Sequence, residues 1–84
     1  MRYRIEIRQT ARKQLRRLPA DVAGRIVAHV YALEENPRPR GARKLTSREE
    51  WRIRVGDWRV LYEIDDAQQV VTIAVVKSRQ SAYG

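Results

Sequence analysis

The residues of this chain best suited to chemistry are three arginines in its second half, Arg52, Arg54 and Arg59. A guanidinium group is planar, stays charged at neutral pH and donates paired hydrogen bonds to a phosphate group. The same permanent charge makes arginine a poor general base. The cluster therefore predicts phosphate binding and stabilisation of negative charge, with proton transfer left to other residues.

The arginines lie in a segment, residues 51–62, with the pattern of two strands joined by a tight turn. Polar and apolar residues alternate before the turn, with the period of a half-buried strand. Glycine in first place in the two-residue loop Gly56-Asp57 is typical of a type II′ turn. This turn predicts a register that pairs Val55 with Trp58, Arg54 with Arg59, Ile53 with Val60, Arg52 with Leu61 and Trp51 with Tyr62.

The predicted register places the three arginines on one face of the hairpin and most apolar side chains on the other. Like charges directly opposite each other destabilise a strand pair, so folding alone does not favour Arg54 opposite Arg59. Either a polyanion binds this face or the arginines form a solvated basic surface. The coincidence of the hairpin with the charge cluster favours the polyanion.

Composition narrows the classes of partner and compartment. The length of 84 residues predicts a single domain spanning residues 1–84. Lysine and arginine number 18 against 10 acidic residues, a formal charge of +8, which favours nucleic acid, an anionic surface or an acidic protein as partner. The absence of cysteine excludes disulfides and thiol catalysis. Without a long apolar run or a signal-peptide pattern, we expect a cytoplasmic protein with no membrane partner.

The N-terminal half predicts one strand followed by two helices. Residues 2–8 alternate as a strand does. Thr10 is predicted to cap the first helix, and Pro19 separates it from the second. Asp21 suits the positive end of the second helix dipole. The apolar stripes are Ala11, Leu15 and Leu18 on the first helix, and Val22, Ile26, Val30 and Leu33 on the second.

The C-terminal half predicts the remaining strands of the sheet. Residues 37–44 have the composition of a basic loop, and residues 65–68 that of a second turn. The β-branched run at residues 70–76 predicts the third strand of an antiparallel meander. Pairing Ile64 with Gln69 would bury Val71, Ile73 and Val75, and would place Thr72 and Ala74 beside Arg59. The predicted fold is a two-layer α+β domain in the order β-α-α-β-β-β, with the helices on one face of the sheet and the arginines on the other.

The chain resembles the RelE/ParE superfamily of bacterial toxins from type II toxin–antitoxin modules. The residues that carry the resemblance are Ala11-x-x-x-Leu15-x-x-Leu18-Pro19, Leu33-x-x-Asn36-Pro37, the run WRIRVGDWRVLYEI at residues 51–64, and Arg79-x-x-x-Tyr83. The run RIRVGDWR is the most specific part, and the resemblance covers nearly the whole chain. It implies a RelE-like endoribonuclease that cuts messenger RNA in the ribosomal A site and inhibits translation, with neither a metal nor another cofactor.

The resemblance also implies an active site of basic residues and a C-terminal tyrosine: Arg52, Arg54, Arg59, Lys77, Arg79 and Tyr83. The hairpin arginines would bind phosphate and stabilise the transition state of RNA cleavage. Lys77 and Arg79 would contact the leaving group or the phosphate. Tyr83 would act as the base if neighbouring cations lower its pKa, or would stack on a nucleobase; the structural alternative is packing on the sheet edge. Ser78 stands where a histidine is often seen in the family.

Two other functions stay open. The ParE branch shares the fold but poisons DNA gyrase, and an inactive homologue would bind RNA without cutting it. His29 has the helical spacing of Ile26 and Leu33 and lies away from the hairpin in sequence, so a structural role is favoured, and a single histidine does not make a multi-histidine metal site. Asp65-Asp66 lies in a turn, where aspartate is common, so no metal pair is expected there.

The resemblance finally implies a co-encoded antitoxin that forms a hetero-oligomer with the toxin. An acidic, partly disordered toxin-binding segment would match the charge of +8 and wrap a large surface of a small domain. We expect this segment to cover the arginines directly rather than to displace the C-terminal residues around Tyr83.

Overall fold

The computed structural model describes residues 2–45 and 50–78. In chain order these residues form β1 (Arg4–Ile7), α1 (Gln9–Arg16), α2 (Ala20–Ala32), β2 (Arg43–Lys44), β3 (Glu50–Val55), β4 (Trp58–Asp65) and β5 (Val70–Ser78). The strands form one five-stranded sheet in the order β1-β5-β4-β3-β2. Neighbouring strands are antiparallel except β1 and β5, which are parallel. The predicted two-layer α+β architecture is confirmed.

The β3–β4 hairpin has the predicted register at every position from the Trp51–Tyr62 pair to the Val55–Trp58 pair. Gly56 has a φ of +60°, a left-handed value that a type II′ turn requires in this position. The buried side chains of the hairpin are Ile53, Val55, Val60, Tyr62 and Ile64. The turn chemistry therefore decides which residues share the open face, the side of the sheet away from the helices.

The core lies between the two helices and the opposite face of the sheet. Ala11 of α1, Ile26 and Val30 of α2, and Leu33 after it are buried against the strands, so both predicted apolar stripes meet the sheet. The predicted cap at Thr10 is wrong: α1 begins at Gln9, with Arg8 in the N-cap position and no side-chain capping bond. The cause is the direct passage from β1 into α1, in which the N–H of Arg8 still bonds to the carbonyl of Ile73 (2.9 Å).

The pairing of β4 with β5 differs from the prediction. Ile64 pairs with Val71 rather than with Gln69, and a register shift follows between Leu61 and Tyr62. The turn has the predicted four residues but lies one position later, at residues 66–69, with Asp65 paired to Val70 and Gln69 at a positive φ of 56°. Beyond the shift, the N–H of Val76 donates to Oε1 of Gln14 in α1 (2.7 Å).

The corrected register changes both faces of β5. Val71 and Ile73 are buried as predicted, but Val76 takes the core position predicted for Val75. On the open face Lys77 lies opposite Arg59. The prediction that Thr72 and Ala74 would lie beside Arg59 is therefore wrong, and a third cation stands in place of small side chains.

The basic loop at residues 37–44 contains a strand that the sequence did not predict. This strand, β2, pairs Arg43 with Arg52 and Lys44 with Trp51, and so adds one more arginine to the open face. Within residues 2–45 and 50–78, no helix is both long and apolar enough to cross a membrane.

Candidate functional site

Basic side chains occupy two neighbouring rows across the open face. In the first row Arg54 lies opposite Arg59, which lies opposite Lys77. In the second row Arg43 lies opposite Arg52. Residues directly opposite each other in antiparallel strands have Cα atoms about 4.5–5.5 Å apart. These two rows, called here the basic rows, bring together four of the predicted site residues from three different strands.

The positive charges in the basic rows repel one another. Burial lowers the pKa of the Arg52 guanidinium below its ordinary value, and the charges of Arg54 and Arg59 lower it further. Arg43 contributes in the same direction. Nε of Arg52 is buried and donates no hydrogen bond to a described residue. A bound anion would relieve this repulsion and would supply the missing acceptor.

Three of the arginines in the rows lack an anionic partner within the described part of the chain. The ion pairs among residues 2–45 and 50–78 are Arg2–Glu35, Arg4–Glu6, Arg8–Glu63 and Arg38–Asp66. None of these pairs includes Arg43, Arg52 or Arg54. A recess of about 130 Å³ lies beside Arg54 and Arg59 at the hairpin turn. The rows thus offer charge and space to an anion from outside the chain.

The other end of the open face is acidic. A groove of about 780 Å³ is lined there by Glu6, Glu50, Glu63 and Asp65, among other residues. Glu50 lies opposite Glu63 across β3 and β4, two positions along β3 from Arg52. The open face is therefore divided along the strands, and a polyanion is attracted only to the end that carries the hairpin turn.

A hydrogen-bonded cluster holds the segment between α2 and β2 against the sheet. Arg38 donates to Asp66 through Nη1 (3.2 Å) and Nη2 (2.8 Å), and the hydroxyl of Tyr3 donates to Oδ1 of the same carboxylate (2.6 Å). The guanidinium of Arg38 also lies 5.2 Å from the centre of the Trp51 ring, within range of a cation–π contact. The hydroxyl of Tyr62 donates to the carbonyl of Pro37 (2.8 Å). This cluster, called here the loop clamp, fixes the residues that lead to Arg43.

The aspartates of the second turn have structural partners. Asp65 accepts a hydrogen bond from the N–H of Gln68 (3.0 Å). Hydrogen bonds from Arg38 and then Tyr3 lower the pKa of Asp66 below its ordinary value. Within the described residues, His, Asp and Glu form no group of three or more that could hold a metal ion.

His29 lies in a different environment from the one its spacing suggested. Its side chain is exposed on α2, and Nδ1 lies 2.9 Å from the carbonyl of Arg25. It lines a cavity of about 700 Å³, called here the edge cavity, together with Arg40, Arg43, Arg52 and Arg54. Sequence reasoning placed His29 away from the hairpin and gave no role to Arg40 or Arg43, although the basic composition of residues 37–44 was visible.

The structure places four of the six predicted site residues together. Arg54 is exposed, while Arg52, Arg59 and Lys77 are half-buried. The other two, Arg79 and Tyr83, lie outside the described residues. β5 ends at Ser78, opposite Trp58, so the chain is directed toward the hairpin-turn end of the face immediately before Arg79.

Comparisons with known proteins agree with this architecture. The family model described as "ParE toxin of type II toxin-antitoxin system, parDE" matches residues 5–83. A curated relative, Toxin RelE of Mycobacterium tuberculosis, is 35% identical over 83 residues, which cover 96% of this chain and 86% of the relative.

Solved structures show the same similarity in three dimensions. The RelE–RelB complex from Pyrococcus horikoshii contains a chain 33% identical with a TM-score of 0.85, over 94% of this chain and 97% of that one. The toxin–antitoxin complex RelBE2 from Mycobacterium tuberculosis contains one 29% identical with a TM-score of 0.83, over 94% and 100%. The chain therefore belongs to the ParE toxin family of type II toxin–antitoxin systems, within the RelE/ParE superfamily.

Proposed function

We propose that this toxin is an endoribonuclease that cuts messenger RNA in the ribosomal A site. The observation that carries the proposal is the row formed by Arg54, Arg59 and Lys77, flanked by the row of Arg43 and Arg52. RNA presents one phosphate per nucleotide, and adjacent arginines on a firm sheet suit phosphate oxygens. The identity with a relative named Toxin RelE supports the ribonuclease branch.

The proposed reaction is a transesterification within the RNA strand. The 2′-oxygen loses its proton and attacks the phosphorus, the bond to the 5′-oxygen breaks, and that oxygen takes up a proton. Extra negative charge develops on the phosphate in the transition state, and preorganised cations stabilise it. We assign this stabilisation to Arg52, Arg54 and Arg59.

The proton transfers are assigned to residues near the C-terminus. Tyr83 is the candidate base, because neighbouring cations would lower its pKa from an ordinary value of about 10. Lys77 and Arg79 are the candidates for contact with the leaving oxygen or the phosphate. A site without a strong base at neutral pH depends on substrate positioning for much of its rate, which is why we propose that the ribosome is required.

The second candidate function is inhibition of DNA gyrase without nuclease activity. It is favoured by the matching family model, which carries the name ParE. A protein that only traps gyrase has no chemical need for phosphate-binding cations that converge on one sheet face. The basic rows therefore favour the ribonuclease.

We also propose that a cognate antitoxin binds this toxin. The similar chains from Pyrococcus horikoshii and Mycobacterium tuberculosis were solved as complexes with RelB-type antitoxins. The toxin has a formal charge of +8, so an acidic binding segment would gain from complementary potential.

The test is cleavage of one mRNA in two states: naked, and bound to a programmed ribosome with an empty A site. We expect rapid cleavage only on the ribosome, with no dependence on a divalent metal once ribosome integrity is controlled. Under single-turnover conditions, Arg59→Ala should slow the cut by roughly 10²–10³. The matched control is Arg16→Ala, which removes an exposed arginine of α1.

Three results would contradict the assignment. Efficient cleavage of naked mRNA by the pure protein would refute the ribosome requirement. Full activity of Arg59→Ala would remove the basic rows from the active site. Cleavage of neither substrate, together with gyrase-dependent DNA breaks, would establish the second candidate instead.

A further inference from the structure

The edge cavity continues the basic rows around the margin of the sheet. It lies between α2, β3 and the segment before β2, and it has a volume of about 700 Å³. Arg43, Arg52 and Arg54 line it and also belong to the basic rows, while Arg40 lines it from the segment before β2 and His29 from α2. None of the described residues that line it carries a carboxylate. A cavity with this lining has the charge of an anion site.

The shortness of β2 leaves the cavity open. β2 pairs only with Trp51 and Arg52, so β3 beyond Arg52 has no strand partner on that side within the described residues. Neighbouring strands lie about 4.8 Å apart. A nucleic-acid strand that follows the first row from Lys77 through Arg59 to Arg54 therefore reaches the cavity within one further strand spacing.

The wall of the cavity is positioned before any ligand arrives. The loop clamp holds Arg38 at the start of the segment, through its two hydrogen bonds to Asp66. The N–H of Ala42 then bonds to the carbonyl of Pro39 (3.0 Å). Between them Gly41 has a φ of +91°, a value that favours glycine. Arg40 is thus carried on a closed turn, which reduces the ordering required on binding.

His29 adds a hydrogen-bonding group with a defined tautomer. A carbonyl oxygen only accepts, so Nδ1 of His29 must carry the proton in its bond to Arg25. In this tautomer Nε2 only accepts hydrogen bonds, so His29 donates none to a phosphate, and the donors of the cavity are its arginines. The opposite direction along the open face leads to Glu50 and Glu63, which would repel a phosphate backbone.

We propose that the edge cavity binds a phosphate group of the RNA strand that crosses the basic rows, with Arg40 and Arg43 as its main contacts. This inference rests on the proposed function, because it extends the path of the same substrate. The cavity shares Arg43, Arg52 and Arg54 with the basic rows and extends past the edge of β3 to Arg40. The phosphate it holds is therefore the neighbour of the one between Arg54 and Arg59 and does not take part in bond breaking. Its role is to hold the strand in place.

The test measures binding without cleavage. A fluorescent single-stranded RNA oligonucleotide is titrated with the purified toxin over a series of monovalent salt concentrations. The variant is Arg40→Gln with Arg43→Gln, and the control is Arg16→Gln with Arg17→Gln, which removes the same charge from exposed positions of the first helix and its end. Thermal melting of each protein confirms that it is folded.

We expect the edge-cavity variant to bind about tenfold more weakly at low salt, the effect of losing a charge-assisted hydrogen bond. The slope of log affinity against log salt should fall by about 0.7, the value for one phosphate contact on a single strand. The control should keep the wild-type slope, and Arg40→Lys with Arg43→Lys should restore most of it. If the salt slope falls equally in the edge-cavity variant and in the Arg16→Gln, Arg17→Gln control, the proposal is overturned, because the loss would then be a general effect of charge.

Two further outcomes separate this inference from the proposed function. A reduced slope in a toxin that does not cut mRNA on the ribosome would refute the nuclease and retain the phosphate site. If the edge-cavity variant keeps the wild-type salt slope for RNA but binds the antitoxin more weakly, the phosphate site is overturned, because the cavity would then belong to a protein interface.

Discussion

At the scale of single residues, the pair Arg54–Arg59 costs the empty protein free energy. The two cations lie directly opposite each other on β3 and β4. Arg52 lies next to this pair along β3 and opposite Arg43 of β2. Cross-strand pairs of like charge are destabilising by a few tenths of a kcal/mol to about 1 kcal/mol. An anion bound between the guanidinium groups would recover this cost, so the residues expected to weaken the fold are the same ones that we propose bind phosphate.

Removal of one charge from this pair should stabilise the protein. We expect Arg54→Gln to raise the melting temperature by roughly 1–8 °C at low salt, the equivalent of about 0.2–1 kcal/mol in a domain of this size. Arg54 is exposed, so the substitution creates no cavity. The gain should shrink at high salt, because mobile ions screen exposed charges. Differential scanning calorimetry at two salt concentrations measures both effects.

The control for this prediction is Arg54→Lys, which keeps the charge and should leave the melting temperature near that of the wild type. If Arg54→Gln melts at or below the temperature of Arg54→Lys at low salt, then repulsion between Arg54 and Arg59 does not weaken the fold. Contacts within the protein would then have to offset the repulsion between the charges of the basic rows.

At the scale of elements, the loop clamp connects parts of the chain that are distant in sequence. Tyr3 precedes β1, Arg38 follows α2, and Asp66 lies in the turn between β4 and β5. The clamp therefore joins the segment before β1 and the segment after α2 to the turn between β4 and β5. The Arg38 guanidinium also lies over the Trp51 ring of β3. A paired, hydrogen-bonded carboxylate of this kind makes the stability of the domain depend on pH.

Protonation of Asp66 should weaken the clamp in acid. Its pKa is lower in the folded protein than in the unfolded chain, because Arg38 and Tyr3 donate to the carboxylate. The contribution to stability is therefore fully present above the ordinary pKa of about 3.9 and is lost as the pH falls through the lower folded-state value. We expect Asp66→Asn to melt below the wild type at pH 7, with the gap closing toward pH 2.

Glu35→Gln provides the comparison, since it removes the ion pair with Arg2, which is 3.0 Å long against 2.8 Å for Arg38–Asp66 but is more exposed. Isolated exposed pairs contribute little, so this variant should melt close to the wild type across the pH range. An Asp66→Asn curve that runs parallel to the wild type in acid would show that the clamp does not titrate in this range.

The sequence predicted the features that depend on neighbouring residues and missed those that depend on contacts between distant parts of the chain. The β3–β4 register was predictable because Gly56-Asp57 sets it within the hairpin itself, and the stripes of both helices follow from their spacing. The β4–β5 register was not, because Gln69 adopts a left-handed conformation inside the turn and the strands shift register again between Leu61 and Tyr62. β2 exists only through its pairing with β3 and leaves no pattern of its own in the two residues it contains.

The same distinction applies to the site. Arg52, Arg54 and Arg59 could be grouped from the hairpin alone, whereas the position of Lys77 opposite Arg59 required the shifted register of β5. Arg40, Arg43 and His29 come together only when α2 and the segment before β2 pack against β3. Their convergence is a property of the tertiary fold, and the charge of residues 37–44 was its only trace in the sequence.

At the scale of the whole molecule, the charge of +8 is unevenly distributed. The open face is basic toward the hairpin turn and acidic toward the β4–β5 turn, where Glu50, Glu63 and Asp65 line the large groove. Outside the open face, α1 carries a second basic surface with Lys13 and Arg16 in its last turn. An acidic partner therefore has two separate places to bind, and only one of them covers the proposed active site.

The antitoxin should neutralise the toxin by covering the basic rows. A segment with acidic side chains would relieve the repulsion around Arg52 and would exclude RNA from the same surface. Hydrogen exchange of the toxin, measured alone and in complex with its antitoxin, tests this. We expect new protection within residues 51–62, with the largest change near Arg52 and Arg54, and an association rate that falls with added salt. Arg54→Gln should slow that association while leaving the helix amides unchanged.

The alternative route of inhibition gives a different pattern of exchange. An antitoxin that binds only α1 and α2 would protect helix amides, leave residues 51–62 as they are in the free toxin, and increase exchange around Tyr83. That result would mean that the antitoxin displaces the proposed base, while the basic rows stay exposed and the complex still binds RNA. Measurement of RNA binding by the complex decides between the two routes, because direct covering abolishes it and displacement of Tyr83 preserves it.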